Sequence, residues 1–328
     1  MRGGLRTTSR RQRLAPMSDA GQRVRAAEQR LFDRYGLSVD SRTVELADPA
    51  LRVRVLEAGD PDGEPLVLVH GSGMLGSTWA PMLPGLLAWR LLAVDLPGFG
   101  LSDRYDYSVR SLRRHAVAQL ESLLDALDLA QAPLVGTSLG AMWALSLALE
   151  RPERVSSVVS IGVPAVALPG MHGDPGFTAM TLPVVGAVVS RLTPPTTGTA
   201  RRAMLAAIGR PGVDRTPDEW FDVVRLGMRV PGHRVAMRSH LLLALRSGRP
   251  LPGNAFTDGE LEGMQTPVLF VWGEDDAYGK PEIGRRAAGL MPRARLVIMP
   301  GGHAPFLDDP ERCAALVAEF AGQSTKQR

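Results

Sequence analysis

One serine in this sequence has the surroundings that a nucleophilic catalyst requires. Ser138 is the central residue of the stretch GTSLG, residues 136–140, which joins a short apolar run to an alanine- and leucine-rich run. A G-x-S-x-G pattern between a buried strand and a buried helix indicates a serine nucleophile on a sharp turn. The flanking glycines remove Cβ atoms that would clash there. The same stretch also permits a tight turn with a filler hydroxyl, but its context favours the nucleophile.

A serine hydroxyl needs a general base near pH 7, and the chain has six histidines. His303, in MPGGHAPFLDDPE, follows the last predicted strand and is expected at the carboxyl edge of the sheet, close to Ser138. We therefore expect His303 to be the base. His70 ends a strand and is expected to shape the next loop, whereas His115 is expected at the surface. The other three fall in a region where they contact either substrate or nothing: His172, His233 and His240.

A carboxylate is needed to fix the tautomer of the histidine and to stabilise its protonated form. The stretch VLFVWGEDDAYG ends a predicted strand with three acidic residues in a row, Glu274, Asp275 and Asp276. We choose Asp276 as the acid, with Asp275 as the alternative. Residues 162–164, after another predicted strand, read Gly-Val-Pro and offer no carboxylate. The chain order nucleophile, acid, base is the one expected for groups on successive strand ends of such a sheet.

The fourth part of the predicted site is a glycine-rich turn in HGSGMLGSTW, residues 70–79. Such a turn can present backbone N–H groups to an oxyanion, and we expect the N–H groups of Ser72 and Leu139 to form the hole, with Gly73 as an alternative donor. The same glycines come close to a nucleotide-binding pattern. However, the phosphate-binding lysine is missing and prolines weaken the helix that should follow. We expect no cofactor and no metal.

Composition excludes several classes of protein. Five arginines in the first sixteen residues exceed the net charge of +4, so the rest is close to neutral and carries no basic stripe for nucleic acid. No apolar run reaches the ~20 residues of a membrane span. The single cysteine excludes an internal disulfide and a zinc cluster, which fits a cytoplasmic protein. Oligomeric state is left open, and the expected partner is a small-molecule substrate.

Predicted strands alternate with predicted helices, which indicates a mostly parallel sheet with helices on both faces. From residue 164 to 254 the alternation stops, and several short helices without a convincing strand indicate an inserted helical cap. We divide the chain into a disordered basic tail (1–20), the first part of the α/β core (21–163), the cap (164–254) and the second part of the core (255–328). The cap also contains a set of apolar residues that either pack or contact substrate: Met171, Phe177, Met180, Met204, Trp220, Met228 and Met237.

Five motifs in register resemble the α/β-hydrolase superfamily over about residues 43–320, apart from the cap. They are HG at 70–71, DLPGFGLS at 95–102, GTSLG at 136–140, WGEDD at 272–276, and GH at 302–303 with DPE at 309–311. The resemblance implies the α/β-hydrolase fold, a capped site, Ser138 as nucleophile, Asp276 as acid and His303 as base. Haloalkane dehalogenases and epoxide hydrolases of this fold use an aspartate nucleophile, so Ser138 counts against both.

The resemblance implies a serine hydrolase that cleaves an ester-type bond of a small, partly apolar molecule through an acyl-enzyme. Carbon–carbon-bond hydrolases share the serine triad, but they carry an aromatic residue directly after the histidine, where this chain has Ala304. A carbon–carbon-bond hydrolase, a biosynthetic cyclase or transferase, and a non-catalytic small-molecule-binding protein remain alternatives.

Overall fold

The computed structural model describes residues 18–171, 196–246 and 249–325, with seven further residues between 178 and 188. Its strands are β1 (Asp40–Leu46), β2 (Leu51–Gly59), β3 (Pro65–Val69), β4 (Arg90–Val94), β5 (Ala132–Thr137), β6 (Val155–Ile161), β7 (Leu245–Arg246), β8 (Arg249–Pro250), β9 (Val268–Gly273) and β10 (Ala294–Met299). Its α-helices are α1 (Asp19–Arg34), α2 (Leu112–Ala126), α3 (Leu139–Glu150), α4 (Thr197–Arg215), α5 (Asp218–Gly227), α6 (His233–Ala244), α7 (Asp258–Glu262), α8 (Pro281–Leu290), α9 (Pro305–Asp308) and α10 (Pro310–Thr325).

Eight strands form one sheet in the order β1-β2-β4-β3-β5-β6-β9-β10. The pairs from β4 to β10 are parallel, whereas β1 and β2 add an antiparallel edge. Parallel strands need crossover connections, which the intervening helices provide. The predicted α/β fold with a mostly parallel central sheet is confirmed.

Both faces of the sheet are covered by helices. On β3, Val67 and Val69 point into an apolar layer shared with α2, α3 and α8, whereas Leu66 and Leu68 point into a second layer shared with α1, α5 and α10. Successive strand residues face opposite sides, so a strand covered on both faces must be apolar throughout. This explains why the core strands are continuous apolar runs in the sequence.

Helix α3 forms the support behind Ser138. Ten of its twelve residues are buried, including Met142, Trp143 and Leu147. A helix that is apolar on every side is stable only inside a protein, and α3 packs against β5, β6 and α2. Its first turn is therefore held in a fixed place relative to the ends of β5 and β6.

A buried ion cluster ties α1 to the sheet. The guanidinium of Arg54 on β2 contacts Glu28 of α1 at 2.6 Å and Asp95 at 2.7 Å, and all three side chains are at most 3% exposed. Asp95 also accepts hydrogen bonds from the N–H groups of Gly76 and Leu101, both at 2.7 Å. Asp95 therefore organises two turns.

The described part of the segment between β6 and α7 contains the helices α4, α5 and α6. Helix α4 is broken at Gly209, whose φ of 71° is not helical. The short hairpin of β7 and β8 corrects the expectation that residues 164–254 contain no strand. Residues 1–17 of the predicted tail and the cap residues His172, Phe177 and Met180 lie outside the described residues. Helix α1 begins at Asp19, so it includes the last two residues of the predicted disordered tail, 1–20. In the described part of the chain, no helix has the length and apolar character that a membrane crossing requires.

Candidate active site

Ser138 is held in a strained turn between β5 and α3. Its φ of 51° and ψ of −115° lie in a region that residues with a side chain rarely adopt, and such strain persists only where the surroundings enforce it. The backbone packs closely on both sides. A Cβ on Gly136 would lie 2.4 Å from the Ala141 nitrogen, and one on Gly140 would lie 2.1 Å from the Val69 oxygen. The sequence around Ser138 therefore has to contain glycine at both positions.

The structure brings His303 and Asp276 together. Nδ1 of His303 lies 2.9 Å from Oδ2 of Asp276, and the Asp276 side chain is fully buried while that of His303 is 12% exposed. Asp276 also accepts hydrogen bonds from the backbone N–H groups of Val163 at 3.0 Å and Tyr278 at 2.9 Å. Asp275 is exposed, and its backbone N–H donates to Gly301. The carboxylate next to the imidazole is thus the one chosen from the sequence.

Strand order places these groups at one edge of the sheet. Ser138 follows β5, Asp276 follows β9, and β6 lies between these two strands. The carbonyl of His303 packs against the backbone of Gly162, directly after β6, where a Cβ would lie 2.2 Å away. Neighbouring strands are about 4.8 Å apart, so His303 lies one strand from β5, the strand that leads into Ser138. Its ring is packed edge-on against Tyr278, with ring centres 4.4 Å apart.

The predicted oxyanion turn lies against the nucleophile. A Cβ on Gly71 would lie 3.2 Å from Cβ of Ser138. The turn is closed by a hydrogen bond from the N–H of Met74 to the carbonyl of Gly71 at 3.2 Å, and Gly73 has a φ of 74°. Leu139 is the first residue of α3, where backbone N–H groups have no partner within the helix. Both predicted donors are thus close to Ser138 in the chain or in space.

The side chains of His70 and His115 are both buried and both contact backbone groups. His70 is buried, with Nδ1 2.7 Å from the Gly71 carbonyl and Nε2 accepting from the N–H of Leu96 at 3.0 Å, so it shapes the loop as expected. The expected surface position of His115 is wrong. His115 is fully buried, with Nε2 2.7 Å from the carbonyl of Tyr107. It shares the inner face of α2 with Leu112 and Gln119, whereas the neighbouring Arg114 is exposed.

Two more histidines, His233 and His240, lie on α6 in the inserted segment. Burial lowers the pKa of His233 and of His240 to about 4 in each case, and a neighbouring histidine adds to the effect. Both rings pack edge-on against Phe99. Two neutral imidazoles therefore lie beside the glycine-rich turn. Their position could not be inferred from the sequence, in which His240 is 168 residues from Ser72.

Asp308 is a further buried acid that the sequence did not single out. Its Oδ2 accepts from the N–H of Gly302 at 3.2 Å, next to His303, while Oδ1 has no hydrogen-bond partner among the described residues. Burial raises the pKa of Asp308 to about 6, against the opposing effects of the Gly302 N–H and of Arg215. The clue in the sequence was its position five residues after His303, on the first turn after the loop.

The predicted apolar cap residues divide into two groups. Trp220 is buried, and its Nε1 donates to the carbonyl of Thr78 at 3.0 Å, so it packs within the protein. Met171 is buried in the other apolar layer, whereas Met204 and Met228 are partly buried in the same layer as Trp220. Met237 instead lies beside the glycine-rich turn, where a Cβ on Gly73 would be 3.5 Å from its sulfur. Among the described members, Met237 is thus the one placed beside the predicted oxyanion turn.

Comparison with known proteins identifies similar enzymes. The family model described as alpha/beta hydrolase family matches residues 66–316. A 2-hydroxy-6-oxononadienedioate/2-hydroxy-6-oxononatrienedioate hydrolase from Paraburkholderia phymatum is 28% identical, over 83% of this chain and 92% of that protein. A pimeloyl-(acyl-carrier protein) methyl ester esterase from Aeromonas hydrophila is also 28% identical, over 79% of this chain and 96% of the relative.

Solved structures share the fold. Carboxylesterase CesB from Bacillus subtilis superposes with a TM-score of 0.70 and 24% identity, over 92% of this chain and 98% of that structure. The 2-hydroxy-6-oxo-6-phenylhexa-2,4-dienoate hydrolase from a Rhodococcus species also gives a TM-score of 0.70, with 20% identity over 87% of this chain and 99% of that structure. At these identities the likeness concerns the fold alone.

Proposed function

The chain belongs to the alpha/beta hydrolase family, and from that premise we propose that it is a serine hydrolase that cleaves an ester-type bond through an acyl-enzyme. The observation that carries this proposal is the contact between His303 and the buried Asp276 at the sheet edge where the strained turn presents Ser138. A nucleophile, a base and an orienting acid on neighbouring strand ends are the parts that acyl transfer needs.

In the proposed acylation step, the Ser138 hydroxyl attacks the ester carbonyl while His303 takes its proton. The Asp276 contact keeps the proton of the neutral ring on Nδ1, which leaves Nε2 free to act as the base. The N–H groups of Ser72 and Leu139 are proposed to bind the developing oxyanion, with Gly73 as the alternative to Ser72. One donor of this kind typically contributes ~3 kcal/mol to transition-state stabilisation.

The acyl-enzyme forms when His303 gives its proton to the leaving alcohol. Hydrolysis then uses the same groups, and the neutral ring of His303 takes a proton from water. The resulting hydroxide equivalent attacks the acyl carbon, and His303 returns the proton to Ser138 as the acid leaves. Asp276 stays ionised throughout and stabilises the imidazolium in each half-reaction.

We propose a small, partly apolar ester as the substrate, covered by the inserted segment 164–254 as a cap. The side chains that α6 turns toward the proposed oxyanion turn, His233 and Met237, are uncharged at neutral pH. An esterase is among the curated relatives, which supports this class.

Cleavage of a carbon–carbon bond is the second candidate. It is favoured by the 28% identical relative from Paraburkholderia phymatum, whose name gives a dienedioate hydrolase. The residue after the proposed base, Ala304, differs from the aromatic residue typical of that group. Parallel assays with p-nitrophenyl esters and with a vinylogous 1,5-diketone acid discriminate between the candidates by the ratio of their kcat/KM values.

The first test of the proposal is covalent labelling by a fluorophosphonate. We expect the wild-type protein to be labelled on Ser138, and the Ser138→Ala variant to be unlabelled and at least ~10³-fold less active on p-nitrophenyl esters, because the nucleophile is gone. Circular dichroism of the variant serves as the control for folding. A folded wild-type protein that resists the probe and turns over no ester would contradict the proposal.

A further inference from the structure

A second serine–histidine contact lies beside the proposed oxyanion hole and has no role in the mechanism above. Oγ of Ser72 lies 2.9 Å from Nε2 of His240, although 168 residues separate them in the chain. Ser72 belongs to the turn after β3, whereas His240 belongs to α6 in the inserted segment. The contact therefore joins the insert to the residue whose N–H is proposed to bind the oxyanion.

Helix α6 lies with one face on this turn. His233, Met237 and His240 are spaced by four and three residues, so their side chains share one face of the helix. A Cβ on Gly73 would lie 3.5 Å from the sulfur of Met237 and 3.7 Å from Cε1 of His233. The same helix meets the next loop closely, since a Cβ on Gly98 would lie 2.4 Å from Cβ of Ala236. The turn is thus covered by packed side chains.

The imidazole of His240 is suited to hold a hydroxyl in a fixed direction. Its ring is fully buried, with Phe99 and Tyr107 packed edge-on and ring centres 6.2 Å away in each case. Because burial lowers the pKa of His240 to about 4, the ring is neutral above that pH. A serine hydroxyl can donate to a bare ring nitrogen or accept from its N–H, so the bond with Ser72 forms in either tautomer.

Ser72 lies between two glycines, Gly71 and Gly73. Two glycines leave this backbone with wide conformational freedom. The peptide group that carries the N–H of Ser72 also carries the Gly71 carbonyl, which accepts from the N–H of Met74 and lies 2.7 Å from Nδ1 of His70. The side-chain bond to His240 adds a restraint on the other side of this peptide group, at Ser72 itself, and it is the one that comes from the inserted segment.

We propose that His240 is a positioning residue for the oxyanion hole, and that it keeps the N–H of Ser72 directed at the developing oxyanion through its hydrogen bond to the Ser72 hydroxyl. The inference rests on the proposed serine hydrolase function. Donors that are already in place before the reaction stabilise the transition state without reorganisation. The bond therefore acts mainly on the acylation rate and little on substrate binding.

A double-mutant cycle tests the coupling of the two residues. We expect Ser72→Ala and His240→Leu each to lower the single-turnover acylation rate on a p-nitrophenyl ester about 10- to 100-fold, with KM changed less than about threefold. The double variant should be no slower than the worse single variant, because both changes remove the same bond. His240→Gln, whose amide can also bond the hydroxyl, should recover most of the rate.

Affinity for an aryl trifluoromethyl ketone provides a second readout. This inhibitor forms a hemiketal oxyanion on the serine, so its affinity should fall in step with the acylation rate across the variants. Ser239→Ala is the matched control, because Ser239 lies on the same helix and accepts from the N–H of Tyr107 at 2.9 Å, away from Ser72. We expect this variant to retain wild-type acylation.

Three results would overturn the inference: additive rate losses in the double variant, a loss confined to KM, or an equal loss of rate in Ser239→Ala. Urea unfolding shows whether each variant is folded. If His240→Leu fails to fold, His240→Gln still tests the hydrogen bond between residue 240 and the Ser72 hydroxyl. Fluorophosphonate labelling of the wild-type protein separates this inference from the proposed function. An unlabelled wild type contradicts the function itself, whereas a labelled wild type with unaffected His240 variants contradicts only the positioning role.

Discussion

The two neighbouring acids Asp275 and Asp276 differ in what their carboxylates touch. Asp276 is buried against the imidazole of His303, whereas Asp275 is exposed. We expect Asp276→Asn to lower kcat about 10⁴-fold, because an amide favours the wrong tautomer of His303. Asp275→Asn is the matched control and should change kcat less than about threefold. Measurement of kcat on a p-nitrophenyl ester decides between them, and a larger loss in Asp275→Asn would reverse the assignment of the acid.

Asp308 gives the protein a pH dependence of its own. Its pKa of about 6 in the folded protein is above the ordinary value near 4, so the folded state holds a proton that the unfolded state has lost between these two pH values. The free energy of unfolding should therefore fall as the pH rises from 4 to 6. Asp308→Asn keeps an oxygen for the N–H of Gly302 and removes the ionisation.

We expect Asp308→Asn to raise the free energy of unfolding at pH 8 by about 1–3 kcal/mol and to flatten its decline between pH 4 and 6. Urea unfolding at several pH values measures both effects. Asp62→Asn, at an exposed position, is the control and should leave the pH profile unchanged. A wild-type profile that rises with pH over this window, with no difference in Asp308→Asn, would argue against an unfavourable buried carboxylate.

At the scale of elements, the turn between β5 and α3 depends on close backbone contact. A Cβ on Gly140 would lie 2.1 Å from the carbonyl oxygen of Val69, and neither backbone can move without disturbing the sheet. We expect Gly140→Ala to lower the free energy of unfolding by about 1–3 kcal/mol and to reduce ester hydrolysis strongly. Gly259→Ala in α7 meets nothing within 4 Å and serves as the control. Equal urea midpoints for the two variants would contradict this account.

The elements were predictable where the signal is local. Continuous apolar runs identified the core strands, and the spacing of motifs indicated His303 and Asp276, because parallel strands end at a common edge. His115 was misplaced because its arginine neighbours were weighed more than the helical period that puts it on the face of Leu112. The contact of Ser72 with His240 depends on how α6 packs, which no local pattern encodes.

At the scale of the whole molecule, the inserted segment touches both halves of the candidate site. Helix α6 contacts the proposed oxyanion turn through His240, and α4 accepts a hydrogen bond from the backbone N–H of His303 at the carbonyl of Ala207, 3.0 Å away. The insert therefore supports the loop of the proposed base as well as the proposed oxyanion turn. Changes in its packing are expected to affect rate as well as substrate choice.

The buried ion cluster makes α1, which precedes the matched family region, part of the same folded unit. Arg54→Leu would leave the carboxylates of Glu28 and Asp95 without a cation, and we expect it to lower the free energy of unfolding by about 3–5 kcal/mol. Arg42→Leu removes a similar but exposed pair with Glu57 and should cost about 1 kcal/mol or less. Urea unfolding compares the two, and equal losses would show that burial of the cluster does not matter.

Cys313 on α10 is fully buried, with its sulfur 3.7 Å from that of Met299, and burial raises the pKa of its thiol. It is the only cysteine of the chain. The folded molecule therefore offers alkylating reagents no reactive sulfhydryl, since the thiolate is the attacking form. Each molecule that such a reagent modifies has opened around α10 first, so the rate of alkylation of Cys313 reports how often the protein opens there. Because the thiol of Cys313 is inaccessible in the folded protein, electrophilic probes for serine have no cysteine thiol to react with there.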